Sequence, residues 1–360
     1  MPDYEEYCNL IKTIWDSKRM SDNGKLHTEF KDKLRCHLDS KNILLLSNGH
    51  SALECALQTL PNKGEIITTA FTFASTTQSI VHSGFKPVFC DIDPHTLTID
   101  ATKIEELITE NTVAILGVHV YGIPCDVDKI ESLAKKHNIY VIYDAAHSFG
   151  TEFNGKNISN YGDMTMFSFH STKVLNTVEG GAICFKEPEK MEIARHLKYF
   201  GFASKEDADV IGFNAKMSEF HAAMGLCNLN HIEEYICRRK KATEIYDTCL
   251  LNCKNIVLIT YPDNLKRNYS YYPVLIKEDS NISRDELCSK LEEKGIQTRK
   301  YFYPLTNKFS CYNKQYKDCY LPVSEYVSNN VLCLPLHSEL LDSEVYHICE
   351  QVCAIMEGPQ

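Results

Sequence analysis

The sequence has no excess of positive charge: 38 Lys and Arg stand against 48 Asp and Glu, a formal net charge of −10 over 360 residues. That excludes a surface built to gather nucleic acid, because no basic field would draw in phosphates. The one tight cationic cluster, Arg238-Arg239-Lys240-Lys241, reads as a solvated helix face. No apolar run approaches the length of a membrane span. The start, Met1-Pro2-Asp3-Tyr4-Glu5-Glu6, is acidic and unlike a secretory leader. The 16 cysteines contain no C-x-x-C pair and no regular framework, so they read as reduced thiols of a cytoplasmic protein rather than disulfides or metal ligands. No G-x-G-x-x-G follows the first apolar run, which argues against a plain dinucleotide-binding protein. What remains is an ordinary globular composition, 44% hydrophobic and 24% charged, in a chain long enough for a large domain and a smaller one.

Periodicity gives the order of elements. Helical spacing covers 4–18 and about 25–39, separated by the turn signal Ser21-Asp22-Asn23-Gly24. The apolar run Ile43-Leu44-Leu45-Leu46 then ends in Ser47-Asn48-Gly49-His50-Ser51 and a helix to Leu60. A glycine followed by hydroxyl and amide groups at a helix start is a phosphate cradle, since free N–H groups and the helix dipole both favour an anion; a plain helix cap has the same look. Strands at 66–69, 87–90, 113–118 and 140–143 alternate with helices at 73–82, 102–108 and 126–137. That pattern means a mostly parallel sheet covered on both faces. Further strands surround Phe167 and Ala182-Ile183-Cys184-Phe185, and helices are expected at 187–198 and, without a break, from 217 to 252. The remainder reads as a smaller α/β unit, with strands at 270–276 and 331–334 and helices at 284–294 and 342–355, capped by Ser283 and Ser343. The boundary between the two domains is placed at 240/241, so the large domain is 1–240 and the small one 241–360.

The chemistry concentrates where two short apolar runs end. Val141-Ile142-Tyr143 leads to Asp144, then Ala145-Ala146-His147. Met166-Phe167 leads to Ser168-Phe169-His170-Ser171-Thr172-Lys173. A carboxylate and a lysine at the ends of neighbouring strands are what pyridoxal phosphate (PLP) chemistry needs. The acid keeps the pyridine nitrogen protonated, and the amine binds the cofactor covalently and moves protons. Ser168 and His170, just before the lysine, are placed to reach the cofactor's phosphate or ring.

Seven stretches in order carry a resemblance: Ser47 to Leu53, Phe71 to Thr76, Val120-Tyr121-Gly122, Asp144 to His147, Phe167 to Lys173, Glu179-Gly180-Gly181, and Gly212 to Glu219. Together they resemble the DegT/DnrJ/EryC1/StrS family, PLP-dependent aminotransferases of nucleotide-linked sugars. The resemblance spans nearly the whole chain. It implies an α/β, type I aspartate aminotransferase-like fold, with a mostly parallel mixed sheet in the large domain and a smaller C-terminal α/β domain. By resemblance, Lys173 is the cofactor-binding lysine and Asp144 the partner of the pyridinium nitrogen. His147 is near the phenolic oxygen and Phe73 against the ring face. His50, Ser51, Ala52 and Ser168 hold the phosphate. Asn214 reaches the cofactor phosphate of a second copy, which implies a homodimer with shared sites. Asn23, Tyr121, Lys216 and Tyr303 are the implied substrate contacts; Lys216 stands where many relatives carry arginine, and Val178 where glycine is common.

A lysine at position 173 implies transamination, since the related dehydratases have histidine there. The resemblance implies L-glutamate as amino donor and a nucleoside-diphosphate 4-keto-6-deoxy-D-glucose, thymidine- or uridine-linked, as acceptor, giving the 4-amino-4,6-dideoxy sugar (viosamine). Such sugars usually go to surface polysaccharides, glycoproteins or antibiotics. Two alternatives stay open: a 3-aminotransferase acting on a 3-keto-6-deoxyhexose, and, in another class, a non-catalytic PLP-binding regulator.

Overall fold

The computed structural model describes residues 2–316 and 318–357. Its centre is a seven-stranded sheet in the order β1-β9-β8-β5-β4-β2-β3. The strands are β1 (Ile43–Leu46), β2 (Glu65–Thr69), β3 (Lys86–Cys90), β4 (Thr112–Val118), β5 (Tyr140–Asp144), β8 (Met164–Ser168) and β9 (Gly181–Phe185). Pairs β3/β2, β2/β4, β4/β5 and β5/β8 are parallel, whereas β8/β9 and β9/β1 are antiparallel. β1 and β9 are buried along their whole length, which is why they read as unbroken apolar runs rather than alternating ones.

Helices α1 (Tyr4–Ser17), α2 (Lys25–His37) and α7 (Glu219–Asn230) pack on one face of the sheet, where Ile14, Phe30, Leu34, Leu226 and Phe167 share one apolar cluster. Helices α3 (Gly49–Gln58), α4 (Ala74–His82) and α6 (Pro188–Leu197) pack on the other, and α5 (Val127–His137) covers the far strands. Glu219 joins two of these helices: its carboxylate accepts from Leu26 N (3.0 Å) and His27 N (2.9 Å), the free donors at the start of α2. Short strands β6 (Glu152–Phe153), β7 (Lys156–Asn157) and β11 (Leu265–Lys266) form a small ribbon.

The smaller body holds β10 (Ile256–Leu258), β12 (Tyr272–Ile276) and β13 (Val331–Leu334), all antiparallel, covered by α8 (Ile232–Leu250), α9 (Arg284–Glu293) and α12 (Asp342–Glu357). Short α10 (Asn313–Tyr316) and α11 (Pro322–Asn330) lie between α9 and β13 in the chain.

The helix expected over 217–252 is two helices, α7 and α8, which part at His231. The 240/241 boundary falls inside α8: Ile232 and Ile236 join the cluster of the large body, and Ala242, Tyr246 and Leu250 that of the small one. The basic cluster is not wholly a solvated face either. Arg239 is buried, and its Nη1 donates to the carbonyls of Tyr269, Ser270 and Leu336 (3.4, 3.4 and 3.0 Å). The stretch 102–108 forms only a single 3₁₀ turn, Glu105–Leu107, and α12 begins at Asp342, with the Glu344 carboxylate accepting from Leu341 N. Among the described residues no helix is long and apolar enough to cross a membrane, no His/Cys/Asp/Glu cluster could hold a metal, and all 16 cysteines are free.

Candidate active site

Strand register builds the site. Gly181 pairs with Leu46 of β1 on one side and with Ser168 of β8 on the other. The ends of three strands therefore meet at one point, and α3 starts there. The junction leaves no space for side chains: a Cβ on Gly49 would stand 2.8 Å from Ser168 Cβ, and one on Gly181 would stand 2.5 Å from the Asn48 carbonyl oxygen. One strand further along, Asp144 ends β5 in register with Met166 of β8. After Ser168 the chain loops out and returns as β9. The loop is closed by Phe169 N–H to Gly180 O and Thr177 N–H to Phe169 O, both 2.8 Å. Lys173 sits on this loop, its N–H bonded to His170 O (2.9 Å).

A cavity of about 470 Å³ results. Lys173, Asp144, His147 and Ser168 line it, together with Asn48, Gly49 and His50 at the start of α3. Asp144 is 5% exposed; its carboxylate accepts from Thr76 Oγ1 (2.9 Å) and Ala146 N (3.1 Å). Burial still raises its pKa, against those two bonds and the charge of Lys173. Burial likewise lowers the Lys173 amine below the ordinary lysine range. Its Nζ donates to the Tyr271 hydroxyl at 3.2 Å. His147 accepts the Tyr121 N–H at Nδ1 (3.1 Å), and burial holds its pKa well below the usual value. The neutral ring thus carries its proton on Nε2, which has no protein partner among the described residues. The ring lies against Tyr271 (centroids 4.5 Å) and is parallel to Phe302 (5.6 Å).

Phe73 and His170 also line the cavity, and both are exposed. His50 pairs with Glu54 (3.2 Å), and His170 with Thr172 (3.1 Å). Ser51 and Ala52 do not line the cavity. They lie one step into α3, where the Ser51 N–H is capped by Asn48 Oδ1 (2.8 Å) and the Ala52 N–H by Asn48 O (3.1 Å). The part of the expected cradle that faces the cavity is Asn48-Gly49-His50 with Ser168. Tyr121 does not line the cavity: it is buried, and its hydroxyl donates to the Tyr301 carbonyl. Tyr303 also stands outside the cavity, its ring 4.6 Å from the Arg284 guanidinium, and Tyr301 and Phe302 line the wall instead. Asn23 faces Tyr199, which in turn donates to Asp22. Lys216 lies over the Phe200 ring at 5.3 Å, and Asn214 is exposed and bridged to Tyr199. None of these three reaches the Lys173 cavity. Thr76 closes the stretch Phe71 to Thr76, and Tyr301 and Phe302 adjoin Tyr303; Tyr271 and Arg299 were not singled out by sequence reasoning, and no local motif marks them.

The donor set fits PLP. A buried carboxylate and a depressed amine line the same cavity, and Gly49, His50 and Ser168 line its wall at the N-terminus of α3, where free N–H groups favour an anion.

Comparison with known proteins gives the same result. The DegT/DnrJ/EryC1/StrS aminotransferase family model matches residues 3–353. A protein of Shigella dysenteriae named dTDP-4-amino-4,6-dideoxy-D-glucose transaminase is 40% identical over 352 residues, 98% of this chain and 96% of that one. An Escherichia coli protein of the same name is 38% identical, covering 97% and 95%. The structure of DesI in the presence of its TDP-sugar product superposes with a TM-score of 0.94 at 30% identity, over 98% of this chain and 90% of that one. With Lys173 and Asp144 in one cavity of the matching fold, the chain belongs to the DegT/DnrJ/EryC1/StrS aminotransferase family, whose members are PLP-dependent enzymes.

Proposed function

We propose that this chain transfers an amino group from L-glutamate to C4 of dTDP-4-keto-6-deoxy-D-glucose, as a cytoplasmic homodimer. The observation that carries the reading is the shared cavity of Lys173 and Asp144 in a chain 40% identical, end to end, to a protein named for the 4-amino-4,6-dideoxy-D-glucose nucleotide. When bound, PLP supplies an electron sink for the charge left as a C–H proton is removed. The residues of the chain do the rest. Asn48, Gly49, His50 and Ser168 would hold the phosphate, Asp144 the proton of the ring nitrogen, and His147 Nε2–H the ring oxygen. Phe73 would lie against the ring.

Lys173 Nζ is the proton carrier. Its depressed pKa raises the fraction that is an uncharged base near neutral pH. It takes the proton from the α-carbon of the donor and, in the second half of the cycle, delivers one to C4 of the keto sugar. The Tyr271 hydroxyl holds Nζ on one side of the cavity.

Support for a homodimer comes from the segment that carries Asn214. Phe200, Phe202, Val210 and Ile211 are 41%, 53%, 42% and 96% exposed there, an apolar surface of the kind that is covered by a partner. On this reading Asn214 and Lys216 serve the partner's site, which accounts for their position outside their own cavity. Sixteen free thiols support a reducing compartment. The test is a product assay: purified protein with PLP, glutamate and the dTDP keto sugar yields 2-oxoglutarate and a sugar nucleotide carrying one amine at C4. Product from a 3-keto isomer alone would overturn the assignment.

A further inference from the structure

Arg299 is a cation without a carboxylate. Its N–H and C=O are both tied to Cys333 of β13 (3.1 and 2.8 Å), so the backbone is held while the side chain is exposed. Among the described residues no Asp or Glu is within ion-pair distance of its guanidinium. Its one side-chain hydrogen bond is a long one, from Nη1 to the Tyr301 hydroxyl at 3.5 Å, with the Tyr301 ring centre 5.7 Å away.

Two cavities meet at this residue. One holds Lys173 and Asp144. The other, about 750 Å³, opens between the two bodies; Thr172 and Arg299 line both. Among the described residues, the wall of the second cavity carries the cations Arg239 and Lys294 beside the imidazoles of His337 and His347, with Glu344 as its only acid. Arg239 Nε in that wall is buried and has no partner among the described residues. A chain of net charge −10 thus gathers cations where a molecule reacting at Lys173 would extend past Arg299.

The two reactants of a transaminase differ at this point. An amino-acid donor carries a carboxylate on the same carbon as the amino group it gives up. A keto sugar carries none there, and its diphosphate lies several bonds from the reacting carbon. We propose that Arg299 and the cationic cleft behind it form the carboxylate-recognition site for an acidic amino donor. The planar guanidinium fork suits one carboxylate in a two-point contact, and Lys294 provides charge for a second, with the His337 and His347 imidazoles beside it as hydrogen-bonding groups. The inference rests on the transamination reading above and adds the residue that selects the donor.

The test separates the two half-reactions in Arg299→Gln and Arg299→Lys. Enzyme loaded with PLP is mixed with glutamate and the visible band followed; enzyme loaded with pyridoxamine phosphate is mixed with the dTDP keto sugar. Loss of a charge-assisted, two-point contact raises the glutamate concentration for half-saturation by about 10- to 100-fold in Arg299→Gln. Arg299→Lys recovers part of that, and the sugar half-reaction stays within about twofold. Calorimetry on cofactor-free protein gives a second readout: 2-oxoglutarate binding weakens by a similar factor. Unchanged glutamate saturation with unchanged 2-oxoglutarate binding overturns the inference. So does a loss confined to the sugar half-reaction, which would assign the charge to the diphosphate. Wild-type protein that does not respond to glutamate at all would instead sink the transamination reading itself.

Discussion

Replacing Asp144 by Asn removes the charge and keeps the shape, and the structure gives opposite expectations for cofactor-free and cofactor-bound protein. The carboxylate accepts from Thr76 and Ala146. In the variant the amide oxygen keeps the Ala146 bond. Its NH₂ faces Thr76, whose hydroxyl can then accept, because Thr76 also pairs with Thr72 at 2.8 Å and can donate there. Packing is unchanged, so the effect is electrostatic. The folded pKa of Asp144 is raised by burial, so the folded state favours the protonated acid. Stability from that preference is full below the unfolded pKa, about 3.9, and is lost as pH rises through the folded value. Cofactor-free D144N is therefore more stable than wild type at pH 7, with a gain that shrinks toward pH 3. With PLP present the sign reverses. The ring N–H⁺ loses a charge-assisted bond of about 1.5–3 kcal/mol, roughly a 10- to 150-fold loss of affinity. Urea titrations with and without saturating PLP read both halves. A D144N protein that is less stable without cofactor, or binds PLP as well as wild type, would refute the assignment.

Other substitutions test other parts of the site. Tyr271→Phe keeps the ring against His147 and removes the one hydroxyl that accepts from Lys173 Nζ. The charged amine loses a partner, so its pKa falls further; the pH dependence of Lys173 acylation in cofactor-free protein moves to lower pH, and kcat drops about 10-fold or more. An unmoved acylation profile would leave Tyr271 a packing residue. Val178 adopts φ +69° in the loop that follows the lysine. A β-branched residue there costs about 1–2 kcal/mol, and glycine costs about 0.5–1 kcal/mol in chain entropy. Val178→Gly should therefore raise stability by roughly 0.5–1 kcal/mol in urea unfolding.

How far the sequence shows these features depends on the distance over which each is set. The strands of the large sheet read easily because a buried parallel sheet leaves short apolar runs, and Asp144 and Lys173 follow from where two runs stop. Tyr271 lies 98 positions beyond Lys173 and Arg299 stands beside β13 of the small body, so only the fold brings them to the Lys173 cavity. In Tyr301-Phe302-Tyr303 the choice of tyrosine is not legible: the segment is a turn, closed by Tyr303 N–H to Lys300 O, which leaves Tyr301 on the cavity wall and Tyr303 against the Arg284 guanidinium. Tyr121 is expected by resemblance to face the substrate, yet its hydroxyl donates to the Tyr301 carbonyl, 180 positions away. Ser51 and Ala52 lie outside the cavity lining for a local reason: Asn48 caps the helix and accepts from both of their N–H groups. The break at His231 is hidden because apolar residues continue at helical spacing on both sides, and Leu226, Leu229, Ile232 and Ile236 all join one core.

The most direct measurement is the visible absorbance of the protein loaded with PLP, recorded alone, after glutamate, and again after dTDP-4-keto-6-deoxy-D-glucose. The account predicts a band that falls with glutamate and returns with the keto sugar, in wild type and not in Lys173→Ala. A band that glutamate leaves untouched, or one that cycles equally well without Lys173, would contradict it.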